Sequence, residues 1–133
     1  MTRAIRITHI ALVLGLVLIA GTFVVLRQRT GLILAFGPFL GVLLAAIALV
    51  NLTLALGFLA PRLPHRPAGQ SPDDYWTRTE TRGAAIILWA LVEGAGLLSW
   101  IGYLLTGVWA PAAVGVLAVA SLVLLGPARF EGT

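Results

Sequence analysis

The sequence predicts an all-α integral membrane protein with four transmembrane helices in two antiparallel hairpins and both termini cytoplasmic. Three observations predict it. The chain is 59% hydrophobic and only 11% charged, whereas charged residues make up about a quarter of ordinary soluble domains. Its apolar residues fall into long uninterrupted runs, and the basic residues lie between the runs. With lipid as solvent, each segment must satisfy its own backbone hydrogen bonds, which selects helices. A single membrane domain over residues 1–133 follows, and the lipid bilayer is its first partner.

The first run follows Arg3, Arg6 and His9 and ends at Arg27-Gln28-Arg29, giving helix 1 over about 7–26. It has the outline of a signal peptide, but its apolar stretch is about as long as a span requires and only Ala20-Gly21-Thr22 offers small residues for cleavage, so a retained helix is expected. Ala11 and Gly15 form a small-xxx-small pair suited to helix packing. The second run is interrupted early by Gly37-Pro38. Proline suits a first turn, so helix 2 is placed at about 38–60, with a lead-in over 32–37.

Residues 60–83 form the one long polar segment. Pro61, Pro64 and Pro67 make a linker over 61–71. Ser71-Pro72-Asp73-Asp74 then has the form of a helix start: a hydroxyl cap, a proline in the first turn, and carboxylates at the positive dipole end. Nothing breaks a helix from Tyr75 to Gly83, so helix 3 is expected over about 72–106, its membrane part being 84–106. Tyr75, Trp76, Arg78 and Arg82 are expected at the membrane interface. The short connection after Gly107, with Trp109 at the opposite interface, makes helix 4 at about 111–125 antiparallel to helix 3. Four crossings place Arg3, Arg6, Arg62, Arg66, Arg78, Arg82 and Arg129 on one side and Arg27 and Arg29 on the other. That bias predicts a multi-pass protein of the bacterial inner membrane with both termini and residues 61–83 in the cytoplasm.

Glu93 is the exception in this apolar sequence. An ionisable group near the bilayer centre costs about 2.5–3.5 kcal/mol on insertion scales, so it needs a partner or a function. Low dielectric favours its neutral form, which can donate a hydrogen bond or exchange a proton. Helical spacing puts Trp89, Ala90, Gly96, Leu97 and Trp100 near it, of which Trp89, Ala90, Gly96 and Trp100 are expected to line or pack around the carboxyl. Asn51 of helix 2 lies nine residues before Ala60, and Glu93 lies ten after Gly83. Both are thus roughly 13–15 Å from the same membrane surface at about 1.5 Å per residue. An Asn51–Glu93 contact is expected, within a protomer or between protomers. A proton or sodium ion is the candidate ligand; a permanently hydrogen-bonded packing role for Glu93 is the competing reading.

Other chemistry finds little support. There is no cysteine, no phosphate loop, dinucleotide fingerprint or His-Glu-x-x-His, and His9 and His65 lie far apart in sequence. No enzyme activity, cofactor or metal is expected. The arginines form no stripe interleaved with aromatics, so nucleic acid is not an expected partner.

The segment ALVEGAGLLSWIGYLL resembles the carboxylate-bearing helix of the proteolipid (c) subunits of rotary ATPases. That resemblance implies an oligomer in which Glu93 carries a proton or sodium ion. It covers about twenty residues, and the first helix lacks that family's alternate-residue glycines. Glu93 also lies on the first rather than the second helix of its hairpin. Over its length the chain is similar to small uncharacterised bacterial membrane proteins with a W-A-L-x-E-G helix, which implies no activity. Small multidrug-resistance transporters also have four helices and one membrane glutamate, but theirs lies in the first helix. Three functions therefore remain open: an ion-binding, proteolipid-like homo-oligomer, a structural subunit of a membrane complex, and a proton-coupled transporter.

Overall fold

The computed structural model describes residues 1–30 and 37–132, without the side chain of Thr30. Most of the expected lead-in before helix 2 lies outside these residues. The described residues are mostly helical, and none of them lies in a strand. Helix α1 spans Thr2–Thr30, α2 Pro38–Arg62, α3 Pro72–Thr77, α4 Thr79–Thr106, α5 Trp109–Leu124 and α6 Pro127–Glu131. By length and composition α1, α2 and α4 can each cross a membrane, and α5 is a shorter apolar helix.

Helix α2 begins at Pro38 after an extended Gly37 and does not stop at Pro61. Proline lacks the N–H that would bond one turn back, and its ring crowds that carbonyl. The helix widens into a π turn over Ala55–Leu59 just before it, with the Ala60 N–H reaching Ala55 O, and this carries the chain through Pro61 to Arg62. The long third helix expected over 72–106 is broken at Arg78, whose backbone is extended (φ −66°, ψ 124°). The cause is tertiary: the break turns Tyr75 and Trp76 into the protein, where both are buried. Ser71 caps α3 by accepting the Asp74 N–H. Gly107, at φ 69°, closes α4 in the left-handed conformation that glycine adopts without steric cost.

Helix α4 is the central element, packed by α5, α2 and α1, whereas α1 and α2 hardly touch. Helix α1 runs parallel to α4: Gly15 lies beside Glu93, and Arg27 donates to the Leu104 and Thr106 carbonyls at 3.3 and 3.4 Å. This cation at the carbonyl end of α4 is favourable for the helix dipole. Helices α2 and α5 run antiparallel to it. Gly41 faces Thr106 and Gly102 faces Leu44 and Pro111, while Gly115 faces Trp100. Such glycines let helices approach closely where no hydrophobic force drives them together in lipid.

The outside of this bundle is apolar. Leu18, Phe39 and Leu124 are 69, 77 and 68% exposed, and only 11% of the apolar window of α1 is buried. A surface of this kind suits lipid rather than water. At one end the polar linker, α3, α6 and the start of α1 fold together into a cap.

Candidate functional site

Glu93 lies midway along α4 at the edge of its seam with α1. One carboxylate oxygen is 4.0 Å from where a Cβ on Gly15 would stand, an ordinary van der Waals distance, so the Glu93 carboxyl lies against the Gly15 face of α1. The carboxyl is half-buried and forms no hydrogen bond or ion pair with any described residue. Among its expected neighbours, Trp89, Gly96 and Trp100 are buried while Ala90 is exposed. Gly96 is filled by Leu16 of α1 and Ala118 of α5, both close enough that an added methyl would collide with Leu16 at 2.8 Å. Trp100 packs on Gly115, and its indole N–H has no partner among the described residues. It floors an apolar groove of about 550 Å³ between α1 and α5.

Asn51 is not hydrogen-bonded to Glu93. It is half-buried on α2, again with no hydrogen bond to a described residue. The pairs Gly41–Thr106 and Leu44–Gly102 set the register of α2 against α4, which puts Asn51 level with Ala95 and within about one turn of Glu93. The two residues therefore lie at nearly the same level of the bundle. The contact is absent within the chain because Glu93 points to the α1 side of α4 while α2 packs on the other flank.

The indole N–H of Trp89 donates to Leu125 O at 2.7 Å, and its ring lies 4.9 Å from that of His9. His9 is buried, and its Nε2 lies 2.7 Å from Leu122 O. That bond requires the proton on Nε2, so His9 and Trp89 together cap the last carbonyls of α5 from two other helices. His9, six residues before Gly15 on α1, is a packed core group.

The polar cap contains a second carboxylate that sequence reasoning missed. Glu131 is 1% exposed. It accepts from Trp76 Nε1 at 2.7 Å and from Arg6 at 2.8 Å. Arg66 meanwhile binds the Glu131 backbone carbonyl at 2.8 Å, and its own N–H donates to Phe130 O at 2.9 Å. No periodicity or motif marks Glu131, because its burial depends on three segments distant in sequence. Tyr75 donates to Pro64 O; burial, with the Glu131 charge second, pushes its phenol up to about 12. Tyr75 and Trp76, expected at the membrane interface, are thus enclosed by protein. Arg78 is exposed, Arg82 reaches Trp76 O at 3.5 Å, and Trp109 is 77% exposed at the opposite end. Asp73 binds Thr2 through both its N–H and hydroxyl, and these bonds hold its carboxyl below the ordinary 3.8.

Chemically, Glu93 can take up or release a proton or meet a small cation, and Glu131 is a sealed structural group. No cluster of three or more His, Cys, Asp or Glu suited to a metal occurs among the described residues. Comparison of the chain with protein-family profiles, curated proteins and solved structures finds no match.

Proposed function

We propose that the chain is a small inner-membrane protein with four spans, acting as a homo-oligomer in which Glu93 binds or relays a proton or a sodium ion. The observation that carries this reading is the carboxyl of Glu93 beside Gly15, half-buried and without a hydrogen bond or ion pair among the described residues. A purely structural acid in an apolar helix needs a bonded partner, and the sealed Glu131 of the same chain shows what such a group looks like. The four-span arrangement is supported by the parallel run of α1 and α4 and by the gathering of Arg6, Arg66, Asp73 and Glu131 at one end. Helix α5 has 16 residues, about 24 Å at 1.5 Å per residue, and crosses where the bilayer is thinned or with its ends extended by Gly107-Val108 and α6. The arginine excess at the capped end supports a cytoplasmic location for that end.

The second reading is a structural subunit of a larger membrane complex, in which another protein supplies the partner to Glu93. The exposed Ala90 and the open face at Gly94 favour it. A carbodiimide that modifies protonated membrane carboxylates separates the two. Under the ion-binding reading, purified protein is modified once, at Glu93, with a yield that falls as pH rises or as sodium is added. Lack of reaction at every pH, with Glu93→Gln as control, overturns that reading and leaves the structural one.

A further inference from the structure

We infer that the outward face of α4 is a self-association surface, and that a second copy docked there by a two-fold axis along the membrane normal turns its Asn51 toward Glu93. The inference rests on the membrane reading above and deepens it by naming the partner of the Glu93 site.

The geometry starts from what surrounds α4. At about 100° per residue, Gly96 and Glu93 point to α1, Val92 and Ser99 to α5, and Gly102 and Thr106 to α2. One broad sector, carrying Gly83, Ile87, Ala90, Gly94 and Ile101, has no helix on it. A Cβ on Gly83 or Gly94 would meet nothing within 4 Å, Ala90 is exposed, and Ile87 and Ile101 are 57 and 39% exposed. With α5 packed on its opposite side and α1 and α2 on the two flanks, this sector is an open face that admits a helix.

The two polar side chains identify the occupant. Asn51 sits on the flank of α2 nearer this open face, next to Leu52 of the buried stripe Ala45, Ala48, Leu52 and Ala55. Glu93 sits on the opposite edge, by α1. Both lack hydrogen-bond partners among the described residues, and both lie at nearly the same level of the bundle. Lipid tails offer neither group a hydrogen bond. A parallel copy of α4 seated on α4 through Ala90 and Gly94, a small-xxx-small contact, exchanges the flanks under the two-fold. Helix α1 of one protomer then lies beside α2 of its partner, so the gap holding Glu93 also receives the partner's Asn51. Two such composite gaps form per dimer, each with one carboxyl and one amide able to donate to it or to share a cation or water with it.

The absence of cysteine makes the test direct. In proteoliposomes, Gly94→Cys is expected to give an oxidant-dependent covalent dimer, whereas Val116→Cys, exposed on α5, is not. Chains carrying Asn51→Cys, mixed with differently tagged chains carrying Glu93→Cys, are expected to link through a short bifunctional thiol reagent. Gly94→Leu, added to the chains carrying Asn51→Cys and Glu93→Cys, should abolish the mixed link; it projects into open space, so monomer folding, read by circular dichroism, is retained. No dimer at Gly94→Cys overturns the interface, as does a Gly94→Cys adduct with a protein of different mass. A dimer without the mixed link overturns the composite gap. Carbodiimide labelling is read on the same preparations. Cross-linking with an unreactive Glu93 leaves the interface standing and removes the ion-binding reading, while labelling without cross-linking does the reverse.

Discussion

The Trp76 indole N–H donates to the Glu131 carboxylate at 2.7 Å, with both side chains buried, and this bond ties the last short helix to the segment before α4. Removing the acceptor leaves a buried indole N–H unsatisfied, a cost of about 1–3 kcal/mol. Arg6, the other donor, is partly exposed and can return to water. Glu131→Ala is therefore expected to lower stability by about that amount. Glu131→Gln keeps an oxygen for Trp76 and should cost less. Hydrogen exchange across residues 63–77, in detergent, checks this: faster exchange in Glu131→Ala and near-native protection in Glu131→Gln are expected.

The contrast between Glu93 and Glu131 also shows what could be read from the residues in order. Glu93 stands out because it interrupts an apolar run of one helix, and the same local logic finds α1, α2, α4 and α5 and the cap at Ser71. Three features depended instead on chain segments far apart. The break at Arg78 exists because Tyr75 and Trp76 have a buried place to go. The burial of His9 depends on the carbonyl end of α5, some hundred residues away. The direction of Glu93 toward Gly15, away from Asn51, depends on α1 and α2 packing on different flanks of α4. Depth along a helix follows from counting residues, but azimuth requires knowing the neighbours.

Two glycines two residues apart on α4 make opposite predictions. Gly96 is closed in by Leu16 at 2.8 Å and Ala118 at 3.3 Å, whereas Gly94 faces open space. Gly96→Ala forces Leu16 to shift and separates α1 from α4, with an expected loss of about 1–3 kcal/mol from overpacking. Gly94→Ala gains helix propensity worth up to about 1 kcal/mol and meets no obstacle in the monomer. Thermal unfolding of the two variants in the same detergent should give transition temperatures on opposite sides of the parent or, for Gly94→Ala, no lower than it.

Tyr75 gives the polar cap an alkaline limit. Its phenol is raised from 10.0 to about 12, chiefly by burial and then by the Glu131 charge. Because the neutral form is favoured in the folded state, this contribution is complete below pH 10 and is lost as pH rises from 10 toward about 12. The stability difference between the parent chain and Tyr75→Phe should therefore be constant below pH 10 and change only in that interval. A difference that instead changes near neutrality sinks the assignment.

Substitutions at Glu93 separate an exchanging acid from a packing group. Gln keeps the size and hydrogen-bonding atoms of the neutral acid but cannot release a proton, and Leu keeps the bulk while removing both. If the carboxyl works by proton or sodium exchange, Glu93→Gln retains assembly and loses ion-coupled activity, measured as pH- or sodium-driven flux in proteoliposomes. Glu93→Leu also loses it but folds at least as well, because it removes an unpaired polar group from lipid, whose burial costs about 1–3 kcal/mol by mutational measures. If Glu93 instead serves as a hydrogen-bonding anchor to another chain, Gln assembles normally and Leu does not. Oligomer size in native detergent extracts, read beside unfolding temperature for the same three proteins, distinguishes these patterns. An oligomer lost in Glu93→Leu with monomer stability intact assigns the carboxyl to assembly, whereas an oligomer kept in both variants with flux lost in both assigns it to exchange.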